Sequence, residues 1–212
     1  EFSHSGVGTH QESDVHHEAF ERQATVCIMS EKKTLRQHIK SLTLALPPED
    51  RLRISEDIMK QLTEHPRFRA AKVIMLYHSL PDEVCTHTLL QQYCTEKHLL
   101  LPVIKGNSMV LRTYHRTSDM EAGAYGIMEP EGPAFTAYDD IDLIIIPGVA
   151  FDVKHNRLGR GKGYYDRFLQ QMQQMRQTHA YKIGVCFPHQ LVDSIPVTAY
   201  DIPMDEVVSL SE

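Results

Sequence analysis

From Ser30 onward, Leu35, Ile39, Leu42 and Leu46 recur at steps of three and four residues until Pro47-Pro48 ends the run. That spacing predicts one apolar helix face, with Ser30 placed to cap the helix. A second helix is expected from about Pro48 to Glu64, burying Leu52, Ser55, Ile58, Met59 and Leu62, with Pro66 just past its end. The period then shortens. Val73 to Tyr77 is a continuous apolar run of strand length, and a helical stretch from Thr86 to Lys97 leads to a second such run, Leu99 to Ile104. Strand, helix and strand recur as Leu143–Ile146, a helix from about Tyr164 to Gln177, and Lys182–Phe187. Met109–Tyr114 and Glu206–Leu210 read as further strands, the first a hairpin partner across Gly106-Asn107. Runs apolar on both faces suit a parallel sheet covered by helices, so the expected fold is a three-layer α/β/α sandwich with a mostly parallel, Rossmann-like sheet.

Residues 1–28 show no sustained apolar period and lack the apolar core of a signal peptide. They are expected to form a disordered or weakly ordered extension. Met29 reads as a start residue with Glu1-Phe2 added upstream, and 29–212 as a single domain. Twenty-two Lys and Arg against 28 Asp and Glu give a net charge of -6, without the global basic excess of a nucleic-acid or anionic-membrane binder. No apolar run approaches the roughly 20 residues of a membrane span. Cys27, Cys85, Cys94 and Cys186 contain no close-spaced pair, which argues against a zinc knuckle or disulfide scaffold and for reduced thiols in a cytoplasmic protein.

Chemistry concentrates in Arg157-Leu158-Gly159-Arg160-Gly161-Lys162-Gly163-Tyr164-Tyr165-Asp166. Three alternate glycines interleaved with cations, between a strand and a helix, suit a polyphosphate: the backbone can approach it, helix-start amides face it, and Arg157, Arg160 and Lys162 neutralise its oxygens. The run is neither a Walker A loop nor a dinucleotide fingerprint. A flexible connection is the competing reading. Asp166 suits magnesium beside phosphates, or simply favours the helix dipole.

This run, preceded by Pro147-Gly148-Val149-Ala150-Phe151-Asp152, closely resembles the signature of the 5-formyltetrahydrofolate cyclo-ligase family, also called 5,10-methenyltetrahydrofolate synthetases. The resemblance spans residues 30–212 through weaker blocks. Lys32-Lys33-Thr34-Leu35-Arg36 looks like the family's ATP-phosphate segment, and Ser79-Leu80-Pro81-Asp82-Glu83-Val84 its folate loop. Gly126-Ile127-Met128-Glu129-Pro130 resembles a bacterial form of another family segment, and Tyr200-Asp201 with Asp205 its closing block. His78 departs from the apolar residue often found there.

The resemblance implies an ATP-dependent cyclisation: ATP phosphorylates the formyl oxygen, a second folate nitrogen attacks the activated carbon, and phosphate leaves. It implies that Arg160 and Lys162 act on the γ-phosphate, that residues 32–36 and 157–165 hold ATP, and that Asp166 and Asp201 hold magnesium. Glu83, Tyr125 and Tyr164, with residues 160–163, would contact the folate. A monomer is expected, with 5-formyltetrahydrofolate and ATP as its partners. Two alternatives remain: a folate- or nucleotide-binding module without catalysis, and a phosphosugar isomerase or acyl-CoA transferase-like enzyme on a related fold.

Overall fold

The alternation within the apolar runs decides the layers. In the computed structural model, which describes residues 10–116, 120–123, 126, 128–174 and 180–210, with side chains from residue 23 onward, the chain runs α1 (His10–Ala45), α2 (Pro48–Glu64), α3 (Pro66–Ala70), β1 (Val73–Met75), α4 (His87–Tyr93), β2 (His98–Lys105), β3 (Ser108–Tyr114), β4 (Met120–Ala122), β5 (Met128–Pro130), β6 (Leu143–Pro147), β7 (Ala150–Asp152), β8 (Arg157–Leu158), α5 (Tyr164–Gln174), β9 (Tyr181–Val185), β10 (Leu191–Val192) and β11 (Glu206–Val208). Successive strand residues point to opposite faces. Leu143 and Ile145 therefore join Ile58, Leu62, Phe68 and Leu90 on the face covered by α2, α3 and α4. Ile144 and Ile146 join Phe168, Leu169 and Met172 of α5 on the other. The three-layer sandwich follows.

The main sheet has the order β11-β9-β6-β1-β2-β3. All its neighbours pair in parallel except β3, the antiparallel hairpin partner of β2. From β1 the chain passes through α4 to β2, and from β6 it passes through α5 to β9 on the opposite side. The boundary between β1 and β6 is thus a topological switch point, where the loops after the two strands splay to opposite faces and leave a crevice.

Beyond β6 the chain forms a small second sheet, β10-β7-β8. Buried Ile39 of α1 packs against Ala150, Leu158 and Ile195 beside it, which brings the first helix to the strand ends.

Several boundaries differ from the sequence-based expectation. Helix α1 begins at His10, so Ser30 lies inside it and caps nothing, and the weakly ordered extension expected over residues 1–28 meets helix from residue 10. Residues 23–27 are nevertheless exposed. Leu42 and Leu52 are 40% and 55% exposed. Buried Thr43 takes the expected place of Leu42, donating to Ile39 O at 3.0 Å and meeting His189 Nε2 at 2.7 Å. Helix α4 covers only His87–Tyr93 of the stretch expected from Thr86 to Lys97. The β7–β8 hairpin was not anticipated, and the expected end of α5 at Gln177 lies outside the described residues.

Candidate active site

Two cavities open at the switch point and share Arg157, Gly159, Gly163 and Asp166 in their walls, so the glycine-rich loop divides them. The first, about 350 Å3, has walls of Tyr77, Pro102, Ile104, Met109 and Tyr164, and admits Glu83, Glu129 and Arg160. The second, about 380 Å3, is lined by Lys32, Arg36, Arg167, Asp166 and Asp201. One cavity suits a flat, largely apolar molecule; the other suits an anion.

The loop keeps its shape through glycine and arginine. Gly161 and Gly163 have φ values of 96° and 67°, a region where a side chain would be strained. Arg36 Nε donates to Gly159 O at 2.7 Å, tying α1 to the loop. Burial lowers the Arg36 pKa, yet an arginine keeps its charge at any physiological pH. One turn earlier on the same helix face, Lys32 Nζ meets Asp201 Oδ2 at 2.6 Å. The backbone N–H and hydroxyl of Thr198 also donate to that oxygen, at 2.7 and 3.0 Å. Burial opposes ionisation of Asp201, but the bonds from Lys32 and Thr198 outweigh it and lower its pKa.

Arg157 was expected to face phosphate. Instead its side chain is buried. Its place in β8, paired with Ala150 and Phe151, fixes that direction. Nη2 donates to both oxygens of Asp166 at 3.1 Å, and Nη1 to Pro147 O at 3.3 Å. Arg157 thus braces the start of α5 against the end of β6.

Arg160 reaches across to the loop after β1. Its Nη1 and Nη2 donate to Asp82 Oδ2 and Oδ1 at 3.1 and 2.7 Å, while Nε and Nη2 both donate to Glu83 Oε1 at 3.0 and 2.9 Å. Glu83 Oε2 accepts from Leu80 N–H at 2.9 Å. Burial raises the Glu83 pKa and the Arg160 charge opposes that rise. Burial also pushes Asp82 up, but its bonds to Arg160 bring it below the usual range. Arg167, in the wall of the second cavity, donates to Lys162 O at 2.9 Å and to Asn107 O at 3.0 Å. Its guanidinium lies 5.2 Å from the centre of the Tyr164 ring.

His78, at the first cavity, lies against His87 with ring centres 4.2 Å apart and the planes tilted by 31°. Burial, then the neighbouring His87, lower the His78 pKa to about 4, so it is neutral near pH 7. The neighbouring His87 favours the Cys85 thiolate and lowers its pKa to about 7.

Of the residues singled out from the sequence, Lys32, Arg36, Leu158, Gly161 and Asp201 line the second cavity. Glu83, Arg160, Lys162, Tyr164 and Tyr165 line the first. Lys33 and Thr34 are exposed, and Leu35 packs with Ile39; these three line neither cavity. Tyr125 lies outside the described residues. Sequence reasoning gave no individual role to Asp82, Glu129 or Arg167. The adjacent acids Asp82-Glu83, opposite a basic loop, were the available signal for the first.

The described residues contain no group of three or more His, Cys, Asp or Glu side chains that could hold a metal unaided. Asp166 and Asp201 do line one cavity. Two carboxylates completed by phosphate oxygens and water form a donor set that suits magnesium.

Comparisons with known proteins converge. The model of the 5-formyltetrahydrofolate cyclo-ligase family matches residues 28–210. A 5-formyltetrahydrofolate cyclo-ligase of Mus musculus is 32% identical over 195 residues, covering 87% of this chain and 96% of its own length. One of Escherichia coli K12 is 29% identical, covering 82% and 97%. Among solved structures, the 5,10-methenyltetrahydrofolate synthetase of Aquifex aeolicus superposes with a TM-score of 0.73 at 37% identity, covering 84% of this chain and 89% of its own. That of Mycoplasma pneumoniae gives 0.65 at 25%, covering 84% and 98%.

Proposed function

The chain belongs to the 5-formyltetrahydrofolate cyclo-ligase family, and from that premise we propose how its two cavities divide the work of an ATP-dependent ligase. The reaction is conversion of 5-formyltetrahydrofolate to 5,10-methenyltetrahydrofolate. A formyl oxygen is a poor leaving group until phosphorylated, so the first task is to align the γ-phosphate with that oxygen and neutralise its charge. Two cavities sharing one glycine-rich wall carry this reading.

The folate occupies the apolar cavity. Its pterin amide and amine donate to Glu83, the largely covered acid of the loop after β1, and Tyr164 packs on a ring. The ATP phosphates occupy the cationic cavity, met by Lys32, Arg36 and the loop amides. Lys162 and Arg160, on the folate side of the loop that divides the cavities, reach toward the phosphates and take up charge as the phosphoryl group transfers. Once the formyl carbon is activated, the neighbouring folate nitrogen attacks it and phosphate departs. Arg157 holds Asp166 in place.

Asp166 and Asp201 would hold magnesium, sharing their oxygens with Arg157 and Lys32. When bound there, the ion would neutralise charge on the phosphates. A monomer is the proposed working unit. No described helix is long and apolar enough to cross a membrane. Cys27, Cys85, Cys94 and Cys186 are all free thiols, which suits the reducing cytoplasm. The testing experiment incubates the protein with 5-formyltetrahydrofolate, magnesium and ATP and follows the methenyl chromophore; no chromophore above the ATP-free control refutes the proposal.

A further inference from the structure

We propose that Arg160 is a latch coupling the two substrates, and that Asp82 is the positioning residue that sets it. The proposal rests on Glu83 being the carboxylate that recognises the pterin.

Each carboxylate oxygen has two lone-pair sites. Both sites of Glu83 Oε1 are taken by Arg160, through Nε and Nη2, while Oε2 accepts only from Leu80. A ligand donating two parallel hydrogen bonds to Glu83 needs one site on each oxygen. It finds one on Oε2 and none on Oε1, so Arg160 must release at least one bond. The guanidinium is similarly committed: of its five N–H groups, Nε–H goes to Glu83, Nη2 serves Glu83 and Asp82, and Nη1 gives one to Asp82. One N–H remains for a phosphate.

Folate docking therefore turns donors of Arg160 from Glu83 toward the phosphates, and phosphate binding draws Arg160 off Glu83 and clears the folate site. Each substrate favours the other, as linkage requires. The side chains of Glu83 and Asp82 are 11% and 27% exposed, against 44% for Arg160, so the arginine is the partner with room to move. Asp82, gripping it through Nη1 and Nη2, decides how firmly it stays on the folate side. ATP arriving alone meets an arginine held away from its phosphates, which limits wasteful hydrolysis.

The test measures, by calorimetry, the affinity of a non-hydrolysable ATP analogue with magnesium, with and without saturating 5-formyltetrahydrofolate. In the unmodified protein, folate is expected to tighten analogue binding on the order of 5- to 10-fold, within the usual span of coupled sites. Asp82→Asn is expected to tighten analogue binding several-fold when folate is absent and little when it is present, shrinking the coupling factor. Asp82→Glu, which keeps two acceptor oxygens, should retain most of the coupling. Equal analogue affinity with and without folate in the unmodified protein would overturn the latch. A gain in Asp82→Asn that is the same with and without folate would overturn it too, because that is a general charge effect. If Asp82→Asn fails to fold, the comparison on the unmodified protein still decides the matter. A protein that binds neither 5-formyltetrahydrofolate nor the analogue would overturn the underlying reading of the site and the latch with it.

Discussion

Replacing Asp166 by Ala tests whether the glycine-rich loop stands on a buried ion pair. The Arg157 side chain is 4% exposed and that of Asp166 20%. Removing the carboxylate takes away both acceptors of Nη2 and leaves the guanidinium with Pro147 O at 3.3 Å. Stranding a buried charge in this way costs roughly 3–5 kcal/mol. The partial exposure of Asp166 puts the expected loss near the lower end, about 3 kcal/mol. For a chain of this length, about 2–4 °C of melting temperature goes with each kcal/mol, so the midpoint should fall by roughly 6–12 °C. Asp166→Asn also removes the negative charge but keeps one acceptor oxygen for Nη2, so it should lose somewhat less. Thermal unfolding followed by circular dichroism in magnesium-free buffer measures this without any contribution from bound metal. A fall of under about 2 °C in Asp166→Ala would refute the bracing role and leave Asp166 as a ligand-facing acid alone.

Lys162→Ala is expected to cut turnover on the order of a hundredfold, with ADP binding affected less, because its charge acts most on the transferring phosphoryl group; steady-state kinetics beside ADP titration checks both. Glu83→Gln should weaken folate binding far more than nucleotide binding, since the amide places a donor against donors, and equal losses in separate titrations would make Glu83 structural. Alkylation of Cys85, followed site by site by mass spectrometry, should reach half its maximal rate near pH 7, because His87 stabilises the thiolate that reacts. His87→Ala should shift that midpoint upward, and Cys186, buried and pushed up to about 12, should stay unreacted. A chain starting at Met29 is expected to keep its turnover and melting temperature, since residues 23–27 are exposed; a large loss of either in the shortened chain would contradict this.

The strands of the core were readable because apolar runs such as Leu143–Ile146 are continuous on both faces, and only a sheet covered by helices on both sides accommodates that pattern. The length of α1 was not readable from periodicity, since its first half has no apolar face. The usable signal was the absence of any glycine or proline between Gly8 and Pro47, which leaves nothing to break the helix once begun. Leu42 and Leu52 illustrate a different limit: spacing identifies a helix face but not how wide a stripe its neighbours cover. In the site, the glycine-rich loop and Glu83 stood out by residue type. Their pairings did not. Arg157 and Arg160 are equally basic in sequence, yet β8 turns the first inward onto Asp166, while the second crosses to acids 77 and 78 positions away. Those partners depend on the β1/β6 switch point, which exists only once the sheet order is set.

A single-turnover measurement with radiolabelled γ-phosphate bears most directly on the claim that the two cavities face each other across the loop. The protein, in excess over 5-formyltetrahydrofolate, is mixed with ATP and magnesium, and ADP, phosphate and the methenyl chromophore are followed together. One ADP, one phosphate and one methenyl product per folate are expected, with little ADP formed when folate is omitted. ADP release at the same rate with and without folate, and no methenyl product, would contradict the claim.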